Sequence, residues 1–180
     1  MQILRQIRTW LGLAYARWRF RTDRDYHQPL TEFFRSARSI LVVLPMGYED
    51  ANVAGAAFKR LLGGAANAHV TVVTTGIRAT PLSDGRSEVI RVDEVDLNPF
   101  FLPRNNIMHR VIAHSYDLAV DLNLDFVLHA AYICKASRAP VRVGIRREHS
   151  DTFYNVQLNL DRSGSPQTVY GRFVDLLNMF

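Results

Sequence analysis

Two histidines and two aspartates in the second half of the chain are residue types that could bind a metal ion. His109 and His114 are followed by Asp117 and Asp121, at spacings of five, three and four residues. Imidazole nitrogens and carboxylate oxygens are ligands that zinc accepts. These four residues, however, run from the end of a predicted helix into a predicted strand, so their side chains need not converge. We therefore predict no metal site and no bound cofactor.

Asp117 and Asp121 also suggest a site at a strand end. They have the same parity along a predicted strand, so they share one face of it. In parallel α/β sheets, ligand sites form beyond the carboxyl ends of strands. A simpler role is favoured, in which Asp121 caps or orders the loop that follows.

The remaining nucleophiles lack the sequence context that catalysis requires. Cys134 lies in an apolar helical stretch, which is typical of an inert buried thiol. The strand–turn–helix context of a nucleophile elbow is missing at Ser115, Ser137 and Ser163. Gly47 and the pair Gly63-Gly64 do not have the spacing of a phosphate loop or a dinucleotide fingerprint. The residues therefore show no complete active site.

The positive charge of the chain is concentrated at its N-terminus. Residues 1–38 contain eight arginines and three acidic side chains, a difference of +5 that equals the net charge of the whole chain. Residues 39–180 are therefore neutral overall. A basic arm of this kind favours an acidic partner, such as a membrane surface, a nucleic acid or another protein.

The arm is patterned as an amphipathic helix. Its apolar residues fall within a stripe of about 140° on a helical wheel; they are Ile3, Leu4, Ile7, Trp10, Leu11, Ala14, Tyr15 and Trp18. Arginines border the stripe, and Gln2, Gln6, Thr9 and Ala16 lie opposite. The stripe fits packing on the chain's own domain, or docking on a membrane interface or in a partner's groove. Nucleic acid is less favoured, because a basic helix alone specifies no nucleic-acid-binding fold.

Under the docking hypothesis, residues 1–26 carry the interaction. The candidate contacts are Arg5, Arg8, Trp10, Arg17, Trp18, Arg19 and Arg21. A second basic cluster lies at the end of the fifth predicted strand and contains Arg142, Arg146, Arg147 and His149. We expect a solvated loop there, or a contact with an anion or a partner.

Strands and helices alternate through the rest of the chain. Apolar, β-branched runs predict strands at 39–44, 70–75, 88–92, 116–122, 140–145 and 153–160. Predicted helices cover about 30–36, 52–62, 106–114, 126–137 and 167–177, and Asp50 or Asn52 is a candidate cap for the second of these. Such alternation predicts a single Rossmann-like α/β domain over 39–180, with a doubly wound, mostly parallel sheet. The runs at 40–44, 70–75 and 118–122 should be central strands.

Composition excludes several classes of protein. No apolar run reaches the roughly 20 residues that span a bilayer, and Arg5 and Arg8 interrupt any secretory signal. A single cysteine excludes an internal disulfide framework and fits a reducing compartment. We expect a cytoplasmic protein, with peripheral association at the membrane as an option.

The segment 116–122, Tyr-Asp-Leu-Ala-Val-Asp-Leu, carries a more specific signal. With the helix after it and the Ala-Pro-Val-Arg-Val-Gly-Ile strand at 139–145, it resembles the N-terminal domain of the lipopolysaccharide heptosyltransferases, glycosyltransferase family 9. Members have a "YDLVIDL" strand, a helix and then an "RIG" strand. The strand at 40–43, the helix ending near Lys59-Arg60-Leu61 and the final helix with Val174-Asp175-Leu176-Leu177 fall where the family has theirs. The resemblance covers about residues 39–180.

The resemblance implies two Rossmann-like halves with an active site between them. In the family, the N-terminal half presents the acceptor and the C-terminal half binds the nucleotide-sugar donor. The chain ends where the second half would begin, so we expect an acceptor-like half without a donor half.

The first loop departs from the family pattern. Family members carry a glycine-rich "LGxxGD" turn, and its aspartate, the proposed catalytic base, falls on Asp50. Here Glu49 stands where the family has the preceding glycine. Glutamate resists the positive φ that glycine allows, and its charge disfavours an anionic sugar or phosphate. Asp50 is thus a catalytic candidate only if the chain is an enzyme, and otherwise a helix cap.

These observations favour a non-catalytic accessory protein that docks through its basic N-terminal helix. Two alternatives remain open: a heptosyltransferase-like subunit acting on a lipid or saccharide acceptor, and an RNA- or ribosome-associated factor.

Overall fold

A six-stranded, entirely parallel sheet forms the centre of the molecule. The computed structural model describes residues 2–23, 33–62, 68–75 and 87–179. The strands are β1 (Ser39–Val43), β2 (His69–Thr74), β3 (Glu88–Arg91), β4 (Leu118–Asp121), β5 (Val141–Ile145) and β6 (Val156–Leu158). They are arranged in the order β3-β2-β1-β4-β5-β6, and every neighbouring pair is parallel. The predicted Rossmann-like α/β fold is confirmed.

Helices cover both faces of this sheet. They are α1 (Gln2–Phe20), α2 (Phe33–Ser36), α3 (Tyr48–Leu62), α4 (Asn105–Ile112), α5 (Leu128–Ala136) and α6 (Pro166–Asn178). Short 3-10 helices occupy Glu94–Asp96 and Ser150–Thr152. One core lies between the sheet and α2, α3 and α6, and the other between the sheet and α4 and α5, with α1 packed outside α5.

The three apolar runs are central strands, as predicted. In β1 every residue from Ile40 to Val43 is buried, and in β4 all four residues are buried. Burial on both faces is typical of parallel sheets covered by helices. The half-polar β3 and the short β6 form the two edges.

Strand ends differ from the prediction where backbone groups find other partners. Asp117 precedes β4, because its carboxylate accepts the N–H groups of Arg38 (2.8 Å) and Ser39 (3.0 Å) at the amino end of the sheet. It does not lie near a carboxyl end with Asp121. Strand β6 is shorter than 153–160, because the N–H groups of Phe153 and Tyr154 both donate to the Ser150 carbonyl.

Helix α3 begins earlier than predicted. The N–H of Ala51 donates to the carbonyl of Gly47 at 2.8 Å, so Glu49 and Asp50 both lie in the first turn. Asp50 is therefore not the N-cap, although its charge there suits the helix dipole. The predicted helix start at 30–32 and residues 24–26 of the predicted interaction segment lie outside the described residues.

Candidate functional site

Helix α1 packs on its own domain by the face opposite to the predicted stripe. Leu13, Ala16 and Phe20 are at most 7% exposed, and Gly12 lies against the backbone of Phe100. The ring of Phe20 is 5.1 Å from the ring of Tyr132, centroid to centroid. Small residues at Gly12 and Ala16 allow this close approach. This packing face was not predicted from the sequence, where its signal is one pair of small residues four positions apart, Gly12 and Ala16.

The predicted stripe faces away from the domain. We call it the outer face of α1. Its large apolar side chains are 42–72% exposed; they are Ile3, Leu4, Ile7, Trp10, Leu11, Tyr15 and Trp18. Large apolar side chains in water are unfavourable by about 25 cal/mol per Å² relative to burial. A contiguous row of them on one helix is typical of an interaction surface.

Arginines at the sides of α1 fasten the helix to the domain. The Arg8 Nε–H donates to the carbonyl of Pro99. The guanidinium groups of Arg5 and Arg8 lie over the Phe101 ring, 5.6 and 5.0 Å from its centroid. These contacts hold the N-terminal half of α1 on the 99–101 loop.

The C-terminal half of the helix is held in a similar way. Arg17 Nη2 lies 2.8 Å from His149 Nδ1, which makes that ring nitrogen the acceptor. Arg19 lies over the Phe20 ring and Arg21 over the Trp18 ring, at 5.8 and 5.3 Å, and these two contacts lie within the arm itself. All five predicted arginines of the arm remain exposed at the surface.

A cleft of about 540 Å³ lies between the N-terminal half of α1 and the carboxyl edge of the sheet. Its walls come from the segments after β1, β3 and β4, where α/β proteins form their sites. Arg5, Arg8 and Arg104 line it, with Glu94 as the acidic residue of the lining. His129 also lines it, and burial lowers the pKa of this imidazole to about 4, so the ring is neutral.

Asp50 is separate from this cleft. It is exposed on the first turn of α3, on the other face of the sheet from α1. Glu49 beside it is also exposed. The structure therefore does not bring the predicted base together with the arginines of the cleft.

Asp121 is buried at the end of β4 and orders the next loop, as expected. Its carboxylate accepts the backbone N–H of Asn123 (2.9 Å), the Asn123 side-chain amide (2.7 Å) and the Tyr154 hydroxyl. Burial raises the pKa of Asp121 to about 6. Cys134 is buried too, and burial raises the pKa of its thiol.

The other candidate ligands lie apart. His114 Nε2 is 2.8 Å from Glu88 Oε2, and His109 is exposed on α4. Within the ranges that the structure describes, no three His, Cys, Asp or Glu side chains are grouped to hold a metal ion.

The second basic cluster is divided between core and surface. Arg142 is buried in β5, where Nε donates to the Phe153 carbonyl (2.9 Å) and Nη1 to the Ala139 carbonyl (2.6 Å). Arg147 is half-buried, and its Nε donates to the Leu124 carbonyl. Arg146 is the exposed member of the three arginines.

No helix in the described part of the chain is long and apolar enough to cross a membrane.

Comparison with family models found no match, and comparison with curated proteins found none either. Comparison with solved structures did find matches.

Three solved structures share the fold at low sequence identity. The glycosyl transferase family 9 protein from Veillonella parvula DSM 2008 matches with a TM-score of 0.59 and 17% identity, over 79% of this chain and 42% of its own. The E. coli heptosyltransferase WaaC with ADP matches with a TM-score of 0.60 and 15% identity, over 77% and 46%. E. coli ADP-heptose lps heptosyltransferase II matches with a TM-score of 0.57 and 20% identity, over 76% and 40%.

The matched region covers less than half of each of these proteins. Structural similarity at such low sequence identity establishes the fold alone. The resemblance to glycosyltransferase family 9 is thus confirmed in fold, and the chain is a Rossmann-like α/β protein with the fold of about half of a heptosyltransferase.

Proposed function

We propose that this chain is a non-catalytic accessory protein, built on a glycosyltransferase-like half domain, that docks to a protein partner or a membrane surface through the outer face of α1. The exposed apolar row of that face carries the proposal. The domain holds the helix by its opposite face, so the row is presented outward.

The features of the first loop support a role without catalysis. Catalysis by Asp50 requires an acceptor hydroxyl within hydrogen-bond reach of its carboxylate. Asp50 is exposed beside a second exposed carboxylate, Glu49, and that charge repels an anionic substrate. The arginine-lined cleft, which is better suited to an anion, does not include Asp50.

A heptosyltransferase-like subunit acting on a lipid or saccharide acceptor is the second candidate. The cleft favours it, because its volume lies in the range of ligand sites, roughly 300–1,000 Å³, and it opens at the carboxyl edge of the sheet. An RNA-associated role has weaker support, since the outer face of α1 is mainly apolar and a basic helix alone specifies no nucleic-acid-binding fold.

One pair of measurements tests the proposal. The purified chain is incubated with ADP-heptose and a saccharide acceptor, and nucleotide release is followed. We expect no release above the buffer rate. Release that disappears in Asp50→Ala would favour the enzyme instead.

The second measurement follows docking through tryptophan and control variants. Trp10→Ala and Trp18→Ala should weaken co-sedimentation with cell membranes or co-purification with a partner protein, while Val95→Ala should not. Val95 is an apolar residue that is 79% exposed and lies outside α1. RNA affinity that falls steeply with salt and depends on the arginines would favour the third hypothesis.

A further inference from the structure

We infer that the outer face of α1 binds the surface of a bilayer that contains anionic phospholipid, with the helix lying in the interface plane. This inference rests on the docking role proposed above and names the partner. The helix is about 28 Å long at 1.5 Å per residue. Its contacts with the domain leave the apolar row facing outward along the whole length of the helix.

Apart from Trp18, the order of side chains around the helix matches the polarity gradient of a bilayer surface. At 100° per residue, the aliphatic side chains of Ile7 and Leu11 lie at the centre of the row, with Trp18 between them. Trp10 and Tyr15 form its two edges. Arg17 lies next to Trp10, and Arg8 lies next to Tyr15.

Each step of that order has a chemical counterpart in a membrane. Aliphatic groups enter the acyl region, and Trp and Tyr favour the boundary with the headgroups. Arginines at the headgroup level attract anionic lipid. Helix α1 contains no acidic residue to oppose this attraction.

A second copy of the chain is a poorer occupant of the same face. Pairing two outer faces would place Arg8 and Arg17 of one copy near those of the other. With no acidic side chain on α1, the like charges would repel.

A groove in another protein is also less suitable. A groove that holds an amphipathic helix encloses much of its circumference, but the domain already covers the side of α1 that carries Gly12, Leu13, Ala16 and Phe20. A flat surface needs only the exposed stripe. Phe100, which is 43% exposed, shares a surface recess with Leu11 and Tyr15 and extends the apolar contact beyond the helix.

The two tryptophans of the chain provide a direct test, because Trp10 and Trp18 are its only ones and both lie on this face. The full chain is titrated with vesicles of phosphatidylcholine alone and with vesicles containing 30 mol % phosphatidylglycerol. With the anionic vesicles we expect blue-shifted emission, quenching by brominated acyl chains and co-sedimentation. Pure phosphatidylcholine should bind at least tenfold more weakly.

Matched variants separate the apolar and ionic contributions. The double variant Ile7→Ser with Leu11→Ser keeps both tryptophans as fluorescent reporters. It should reduce binding to anionic vesicles at least tenfold, whereas Val95→Ser should not change that binding. Arg19→Gln with Arg21→Gln should reduce binding several-fold for anionic vesicles alone. Circular dichroism checks that each variant remains folded.

The other outcomes are distinguishable. If Trp emission stays red-shifted and is still quenched by acrylamide with every vesicle, the membrane inference is overturned. The proposal that the outer face docks on a protein then still stands. If emission is already blue-shifted and shielded in the dilute free chain, the outer face is covered by the chain itself, and the proposed docking function fails too. If shielding rises with protein concentration and sedimentation velocity shows a dimer, the occupant is a second copy, which also overturns the membrane inference.

Discussion

Gly12 of α1 lies against the carbonyl oxygen of Phe100, with no room for a side chain between them. A Cβ atom built on Gly12 would overlap that oxygen and would lie 2.9 Å from Leu128 Cδ2. Glycine weakens a helix interior by about 1 kcal/mol relative to alanine. Here that weakness is offset by a close contact between α1 and the domain.

Gly12→Ala should therefore lower stability in spite of the better helix propensity of alanine. Overpacking of a close contact costs about 1–3 kcal/mol, which exceeds the propensity gain. Urea unfolding followed by far-UV circular dichroism measures the change. Gly171→Ala is the matched control, since a Cβ there meets nothing within 4 Å, and it should raise stability by about 0.4–1 kcal/mol. Equal gains in both variants would contradict the packing of α1.

The sequence predicted the helix and its stripe, but not the face that packs. Packing faces are recognised by large apolar residues, and Gly12 and Ala16 carry little such signal. The central strands were predictable because continuous apolar runs in an α/β pattern have few other uses. The position of Asp117 could not be predicted, because its carboxylate accepts the backbone N–H groups of Arg38 and Ser39. Only the folded sheet brings these groups close to Asp117.

Phe20 and Trp18 lie two residues apart on α1 and should respond oppositely to truncation. Phe20→Ala removes a buried ring that packs on Tyr132 and Phe153, which should cost about 3 kcal/mol or more. Trp18→Ala removes a ring that is 58% exposed and should change stability by about 0.5 kcal/mol or less. Thermal unfolding compares the two. A loss of several degrees for Trp18→Ala would show that the outer face contributes to the core.

Arg142 and Arg146 belong to one basic cluster in sequence but have different surroundings. Arg142→Ala removes the donors to the Phe153 and Ala139 carbonyls, and each buried acceptor left unpaired costs about 1–3 kcal/mol. Arg146→Ala alters an exposed side chain and should be nearly neutral. Urea midpoints of the two variants measure this difference. A neutral Arg142→Ala would return this residue to the candidates for surface contact.

Asp121 and His129 should give the domain two opposing pH dependences. Burial raises the pKa of Asp121 from 3.8 to about 6, so its protonated form stabilises the fold. That contribution is complete below the unfolded pKa and is lost as pH rises through 6. Burial lowers the pKa of His129 from 6.5 to about 4. The stability contributed by its neutral form is present above pH 6.5 and is lost as pH falls through 4.

Single variants should reveal each dependence, because the two nearly cancel between pH 4 and 6.5. Each shift is worth about 3 kcal/mol at 1.36 kcal/mol per pKa unit. Relative to the unmodified chain, Asp121→Asn should lose about that much stability on acidification from pH 6.5 to 4, and His129→Gln should gain about as much. Urea unfolding at half-unit pH steps measures these differences, and the other carboxylates cancel in the comparison. Parallel pH profiles for the unmodified chain and both variants would mean that neither group is held in its neutral form by burial.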